Sequence, residues 1–241
     1  MSPNLPPLTG NAPDSLAGHC LRCGRTHELG LEPTRGENAL WAWWEELHRP
    51  DSVLGARLHE AGGKMIAVLV TENPHGEVEI ARAISGDLFG NPHVAGCVPP
   101  VIQHSRFAEL ESTTLARIAE VNALRDASDD PVFRADCVRQ RREASRTLMK
   151  AIIDTTTLCN RVGVERPLPE VFCGDGIPSG TADCALPKLL HHANLSGRVP
   201  KACAEVWFGP PLGERVHGTF APPCAARCEP ILGHLLCDAH D

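Results

Sequence analysis

No run of the sequence approaches the roughly 18 consecutive apolar residues that a membrane-spanning helix requires. The opening residues, MSPNLPPLTGNAPDS, carry neither the basic stretch nor the apolar core of a secretory signal. Neither a membrane span nor a leader is expected, and a cytoplasmic protein is predicted. Positive charge is scarce as well: 23 Lys and Arg stand against 30 Asp and Glu, for a formal net charge of -7 at pH 7. This excludes a uniformly basic surface that coats nucleic acid and leaves room only for a local basic patch. An even set of cysteines is also missing. The chain has 11, in a setting expected to keep thiols reduced, so a complete disulfide framework is not expected and metal binding leads for those that cluster.

What remains is an ordinary globular composition. Of 241 residues, 42% are hydrophobic and 22% charged, enough apolar material to bury a core. Residues 1–18 are rich in Pro, Asn and Ser and are predicted to be a flexible N-terminus. Residues 19–63 form a small Cys-x-x-Cys and Trp-rich segment. In GHCLRCGRTHELG, Cys20 and Cys23 have the spacing with which two thiolates grip one zinc from a tight turn. His27 could complete that set, or Cys237 and His240, provided the two ends of the chain meet. In ENALWAWWEELHR, Leu40, Trp41, Trp43, Trp44 and Leu47 recur at helical spacing, the pattern of a core-facing helix.

Residues 64–241 are predicted to be one α/β domain. KMIAVLVTENPHGEVEIARAISG reads as a β-hairpin whose first strand is apolar throughout and whose second alternates Val78 and Ile80 with Glu77 and Glu79. From about 105 to 158 a helical insertion is divided by SDDP. Its second helix carries Arg139, Arg142, Arg146 and Lys150 as a basic stripe, read as a solvated face or as a track for phosphates. The isolated Cys97, Cys137, Cys159 and Cys173 have no ligand spacing and read as small hydrophobes.

The chemistry concentrates in two later stretches, SGTADCALPKLLHHANL and PPCAARCEPILGHLL. Pro187 and Pro230 are tolerated only in a helix's first turn, which puts Cys184 at one helix start and Cys224 and Cys228 at another. The free N–H groups and dipole of such a start favour a thiolate. Between them ACAEVWFG reads as a strand. The order is hairpin, helix headed by one ligand, strand, helix headed by two. It resembles that of the zinc-dependent nucleobase deaminases, in which a His or Cys and a Pro-Cys-x-x-Cys hold a zinc that activates water. Pro223 and Cys224 keep that pattern, whereas three residues instead of two precede Cys228. The proton-carrying glutamate expected two residues after the first ligand is replaced by Leu186. Asp183 and Glu205 are the carboxylates left to carry protons. Three thiolates leave a fourth position for water, unless a further ligand such as His217 closes the site.

A wider resemblance rests on GKMIAVLV, SGDL, GCVPPV, SRTLMK, SGTADCALPKLL, AEVWFG and HGTFAPPCAARCEPILGHLL. From Lys64 to Leu236 the chain resembles the N-terminal domain that precedes the catalytic domain in some bacterial RluA-type pseudouridine synthases. The arginine-leucine-aspartate motif of that catalytic domain is absent. The resemblance implies an RNA-modification setting without pseudouridine formation.

The expectation is a deaminase-like three-layer α/β fold with a mixed central sheet and a helical insertion. The function expected is that of a zinc hydrolase acting on a base in a nucleotide, RNA or single-stranded nucleic acid. Two alternatives stay open: a non-catalytic, zinc-stabilised RNA-binding module, and a redox protein in which Cys224 and Cys228 cycle.

Overall fold

The computed structural model describes residues 5–239. Strands β1 (Ser15–His19) and β2 (Thr26–Gly30) pair antiparallel, with Gly18 opposite His27, so the CLRCG turn sits at the tip of a hairpin. The boundary at residue 18 suggested by composition runs through β1. Helix α1 (Pro33–Leu47) opens with a proline, whose fixed φ suits a first turn. Its stripe faces inward: Leu40, Trp43 and Trp44 are at most 1% exposed. Burying each such side chain contributes on the order of 1.5–3 kcal/mol relative to leaving it in water. Helix α2 (Val53–Glu60) is capped by Ser52, whose hydroxyl accepts from the Gly55 N–H at 3.2 Å.

Strands β3 (Lys64–Glu72) and β4 (Val78–Ile84) form the expected hairpin. Its turn is held by Asn73, whose Oδ1 accepts from the N–H groups of His75 and Glu77, both at 2.9 Å. The alternation read in β4 does not mark its buried side. Val78 and Ile80 are 54% and 50% exposed, and burial begins only at Ala81.

Helices α3 (Ala108–Asp126) and α4 (Pro131–Thr155) follow, divided at SDDP as expected. Then come the short ribbon of β5 (Thr157–Cys159) and β6 (Glu165–Pro167), the single turn α5 (Leu168–Val171), helix α6 (Ala185–Leu195), strand β7 (Val199–Phe208) and helix α7 (Glu229–Leu235).

The main sheet has the order β4-β3-β7, and both pairings are antiparallel. This corrects the mixed sheet that was expected: the described strands include no parallel pair in it. HGTF adds no strand either, contributing only a single bridge from Phe220 to Val206. Residues of β3 and β7 alternate between faces. Ile66, Val68, Val70, Ala202, Ala204, Val206 and Phe208 pack with Trp43 and Trp44 of α1. The intervening Ala67, Leu69, Cys203 and Glu205 therefore point to the opposite face, and α6 packs on the sheet as well.

The chain forms two compact units. One contains the residues to Val101, Thr157–Arg166 and those from Glu170 onward, so the Trp-rich segment belongs with the sheet. The other is Ile102–Thr156 with Pro167–Pro169. In this second unit α3 and α4 pack on each other, Asp130 caps α4 by accepting from Val132 N–H at 2.9 Å, and Ile102, Phe107 and Ile152 form a small core. On α3, Val121 is buried while Leu115 and Leu124 are 62% and 47% exposed. The basic stripe lies on α4, where Arg139 pairs with Asp136 and Lys150 with Asp154. Among the described residues no helix is long and apolar enough to cross a membrane.

Candidate metal centres

Cys184 occupies the N-cap of α6 in extended conformation, with φ -70 and ψ 157, one residue before the helix begins. A lysine that the sequence reading passed over fixes this start. Lys188, one turn into α6, is only 2% exposed. Its ammonium donates to Gly86 O at 2.7 Å and Ile84 O at 3.3 Å and pairs with Asp183 Oδ1 at 2.8 Å. A buried charge is tolerated only with such partners. They tie the helix start and the preceding loop to the end of β4.

Cys228 is the N-cap of α7, and its N–H closes a turn onto Cys224 O at 3.0 Å. The two sulfurs lie 3.4 Å apart, and those of Cys184, Cys224 and Cys228 are all within 4.8 Å of one another. Three thiolates on one tetrahedral zinc, at about 2.3 Å each, have sulfur separations of about 3.8 Å, so the arrangement fits a single ion with little adjustment. Among the described residues no fourth Cys, His or carboxylate joins this group.

The three thiols share charge unevenly. Hydrogen bonds from Cys184 and Cys228 pull Cys224 far below its ordinary value, while contacts with Cys184 and Cys224, together with burial, push Cys228 up. One thiolate is stabilised and the others resist ionising, the situation that a divalent cation reverses.

A cavity of about 360 Å³ opens on these sulfurs, bordered also by Glu205, Arg215, Arg227 and Met65. Glu205, only 9% exposed, projects from β7 beside Ala67 of β3. Burial, with the negative charge of Cys224 adding to it, pushes its carboxyl up to about 8, against the pull of Arg215. Arg215 is set by a tight turn closed by mutual backbone bonds with Leu212 at 3.0 and 3.1 Å, and its guanidinium lies 5.2 Å from the Trp207 ring centre. Asp183 does not border this cavity. Its Oδ1 faces Lys188, in an ion pair without the alignment of a hydrogen bond. Leu186 is buried within α6 at 2% exposure.

His217, weighed as a closing ligand, lies elsewhere. Its Nδ1 accepts from Gly209 N–H at 3.0 Å, and its Nε2 is 3.0 Å from Nε2 of His48, whose Nδ1 donates to Trp44 O at 2.8 Å. These partners fix both tautomers: His217 donates from Nε2 and His48 accepts. Burial holds His217 down to about 4 and lowers His48 in the same direction.

The second cluster forms where the chain ends meet. The β1–β2 turn is closed by Cys20 N–H donating to Arg25 O at 2.8 Å and Gly24 N–H donating to Cys20 O at 2.9 Å, with Gly24 at φ +69. Cys20 and Cys23 thereby face one side. His27 Nε2 stands 3.0 Å from Cys23 Sγ, and Cys237 Sγ stands 3.9 Å from the same sulfur. All four donor atoms lie within 4.8 Å of one another, so this group and the three-cysteine group could each hold a metal ion. Both His27 and Cys237 join the set; His240 lies outside the described residues. Burial pushes Cys237 up to about 11. It does the same to Cys23, but hydrogen bonds from the Arg25 backbone and from His27 outweigh it and hold that thiol at about 6.

Cys97 and Cys159 behave as expected of packed thiols, both pushed up to about 11 by burial. Lys188, Arg215 and Asp238, which meets His27, were not foreseen. Only Lys188 left a signal, as a charge inside the apolar run CALPKLL. No protein family's model, no curated protein and no solved structure matches the chain.

Proposed function

We propose that the chain is a zinc-dependent hydrolase of the nucleobase-deaminase type, acting in the cytoplasm on a base within a nucleotide or nucleic acid. The observation that carries this reading is the convergence of Cys184, Cys224 and Cys228, from two helix starts, on one wall of a cavity that also holds a buried glutamate. Three thiolates select zinc over harder cations and leave one position without a protein ligand, the arrangement of catalytic zinc sites. An ion held there supplies Lewis acidity and a water that ionises near neutral pH.

The chain's own groups do the rest. Glu205 is the proton carrier: it accepts a proton from water as a carbon–oxygen bond forms at the amino-bearing carbon. It delivers that proton to the ring nitrogen, then takes a second from the newly added hydroxyl, which becomes the carbonyl, and passes it to the departing ammonia as the carbon–nitrogen bond breaks. Its place on β7 substitutes for the missing helix glutamate at Leu186. Asp183 is a positioning residue, holding the Cys184 loop through Lys188. Met65, Ala221 and Pro222 offer apolar walls for a flat ring, and Arg215 and Arg227 offer two cations to its phosphates.

One observation favours a second reading. Leu186 fills the usual acid position with a buried apolar side chain, as in a module that keeps its zinc for stability and binds RNA through α4, in the RNA-modification setting the wider resemblance implies. The two readings part in one assay. Zinc-loaded chain is incubated with cytosine-, adenine- and guanine-containing nucleotides and single-stranded RNA, and ammonia is followed. Ammonia release by the parent chain and its loss in Cys184→Ala support the hydrolase. Bound zinc with no ammonia from any of these, and RNA affinity that falls steeply with salt, supports the binding module.

A further inference from the structure

We propose that Cys20, Cys23, His27 and Cys237 hold a structural zinc in a closed Cys3His shell, and that this zinc seats α7, the helix whose opposite end presents Cys228 to the three-cysteine site. The proposal does not depend on catalysis.

The donor set fits a closed site. Four donors meet, the full complement of a structural zinc. The 3.9 Å between Cys23 and Cys237 sulfurs is nearly twice a disulfide's bond of about 2.0 Å and close to the roughly 3.8 Å edge of a zinc-thiolate tetrahedron. A disulfide would also leave the His27 ring without a role. That ring presents Nε2 to the sulfurs while Nδ1 lies 3.5 Å from Asp238 Oδ1, the outer carboxylate that commonly orients a metal-bound imidazole. Arg25 Nη2, 3.9 Å from the same carboxylate oxygen, adds positive charge beside three thiolates. Cys20, Cys237 and His27 are 1%, 3% and 9% exposed, and a hollow of about 260 Å³ bordered by the cysteines gives an ion its way in.

The mechanical consequence follows from α7. It has seven residues, including Pro230 and Gly233, too short and too poor in helix formers to hold its own shape. Its first cap is Cys228, and Cys237 follows two residues after its end. Its middle presses on β1 backbone to backbone: a Cβ on Gly233 would fall 1.9 Å from His19 O, and one on Gly18 would fall 2.3 Å from Gly233 N. β1 leads directly into Cys20. One ion in the closed shell therefore fastens both the strand and the helix that contact each other there, and the helix carries Cys228 into the other site about 10 Å away along its axis. Coupling of this kind is reciprocal, since an ion in either site favours the α7 position that the other needs.

The test uses the full chain loaded with zinc or cobalt, with metal counted per chain and affinity read by competition with a chelator. The parent chain is expected to carry two ions. Cys184→Ser should lose one and keep the chelator-resistant one. Adding His27→Cys to Cys184→Ser should retain that ion and raise the thiolate-to-cobalt charge-transfer absorption by about a third, four thiolates replacing three. Cys237→Ser should lose the closed-site ion and weaken zinc binding at the three-cysteine site by about tenfold or more. A metal-free Cys184→Ser chain, or an added His27→Cys that leaves the cobalt spectrum unchanged, overturns the closed site. A Cys237→Ser chain that binds at the other site with parental affinity overturns the coupling. Two ions without hydrolysis sink only the proposed activity, and hydrolysis with one ion sinks only the closed site.

Discussion

The two cysteine clusters use the same side chain in opposite ways. At the chain ends, four donors lie within 4.8 Å of one another, the full complement of a closed tetrahedral site, with a carboxylate behind the histidine. At the two helix starts, three sulfurs approach from one side only, and the other side is a cavity holding a glutamate and two arginines. The first arrangement can only hold; the second leaves a face on which something can happen. The number of donors, and what faces the gap, distinguish a fastener from a reaction site better than the count of cysteines does.

That contrast is broken most forcefully by removing one ligand from each. Cys20→Ser should cost several kcal/mol of stability, because binding energy at a closed site is folding energy. A melting temperature lower by about 10 °C or more is expected in calorimetry. Cys184→Ser should abolish hydrolysis with a shift below about half of that. Equal melting shifts in the two variants would erase the distinction between the clusters.

Within the cavity, Glu205→Gln keeps size and hydrogen bonding but cannot shuttle protons. The turnover rate should fall by about 10² to 10⁴, while zinc content stays at the parental value. Loss of zinc together with rate would make Glu205 a support for the ligands rather than the proton carrier.

The features legible in the sequence are those encoded locally. Pro187 and Pro230 announce helix starts, so the placement of Cys184 and Cys228 as N-caps could be read directly. The Trp stripe and the Asn73 hairpin were equally plain. What could not be read was set by distant packing. The choice among His27, Cys237 and His240 depended on the chain ends meeting, which no local pattern states. The sheet was expected to be mixed as part of a deaminase-like fold; here β7 pairs with the free edge of β3 and runs antiparallel to it. His217 was open as a fourth ligand closing the three-cysteine site, yet Gly209 and His48 already occupy both its ring nitrogens.

Two smaller effects sharpen the contrast from outside the clusters. Gly18→Ala forces a methyl into the backbone of α7. It should destabilise by about 1–3 kcal/mol, and denaturant unfolding should show it; wild-type stability would mean that α7 is not pressed on β1. The histidine pair gives a pH dependence unrelated to metal. Folded, His217 stays neutral down to about 4, whereas unfolded it takes up a proton near its ordinary 6.5. The unfolded chain then binds more protons in that window, so stability should fall as pH drops from about 6.5 towards about 4, and His48 acts in the same direction. His217→Gln should flatten this part of the stability profile, and an unchanged slope would remove the pair as its cause.

The most direct measurement is zinc-edge anomalous diffraction from crystals of the zinc-loaded chain. A peak is expected about 2.3 Å from each sulfur of Cys184, Cys224 and Cys228, with no fourth side chain bonded and its open side towards Glu205. Absence of a peak there, or a fourth protein ligand completing the shell, would contradict the proposed function.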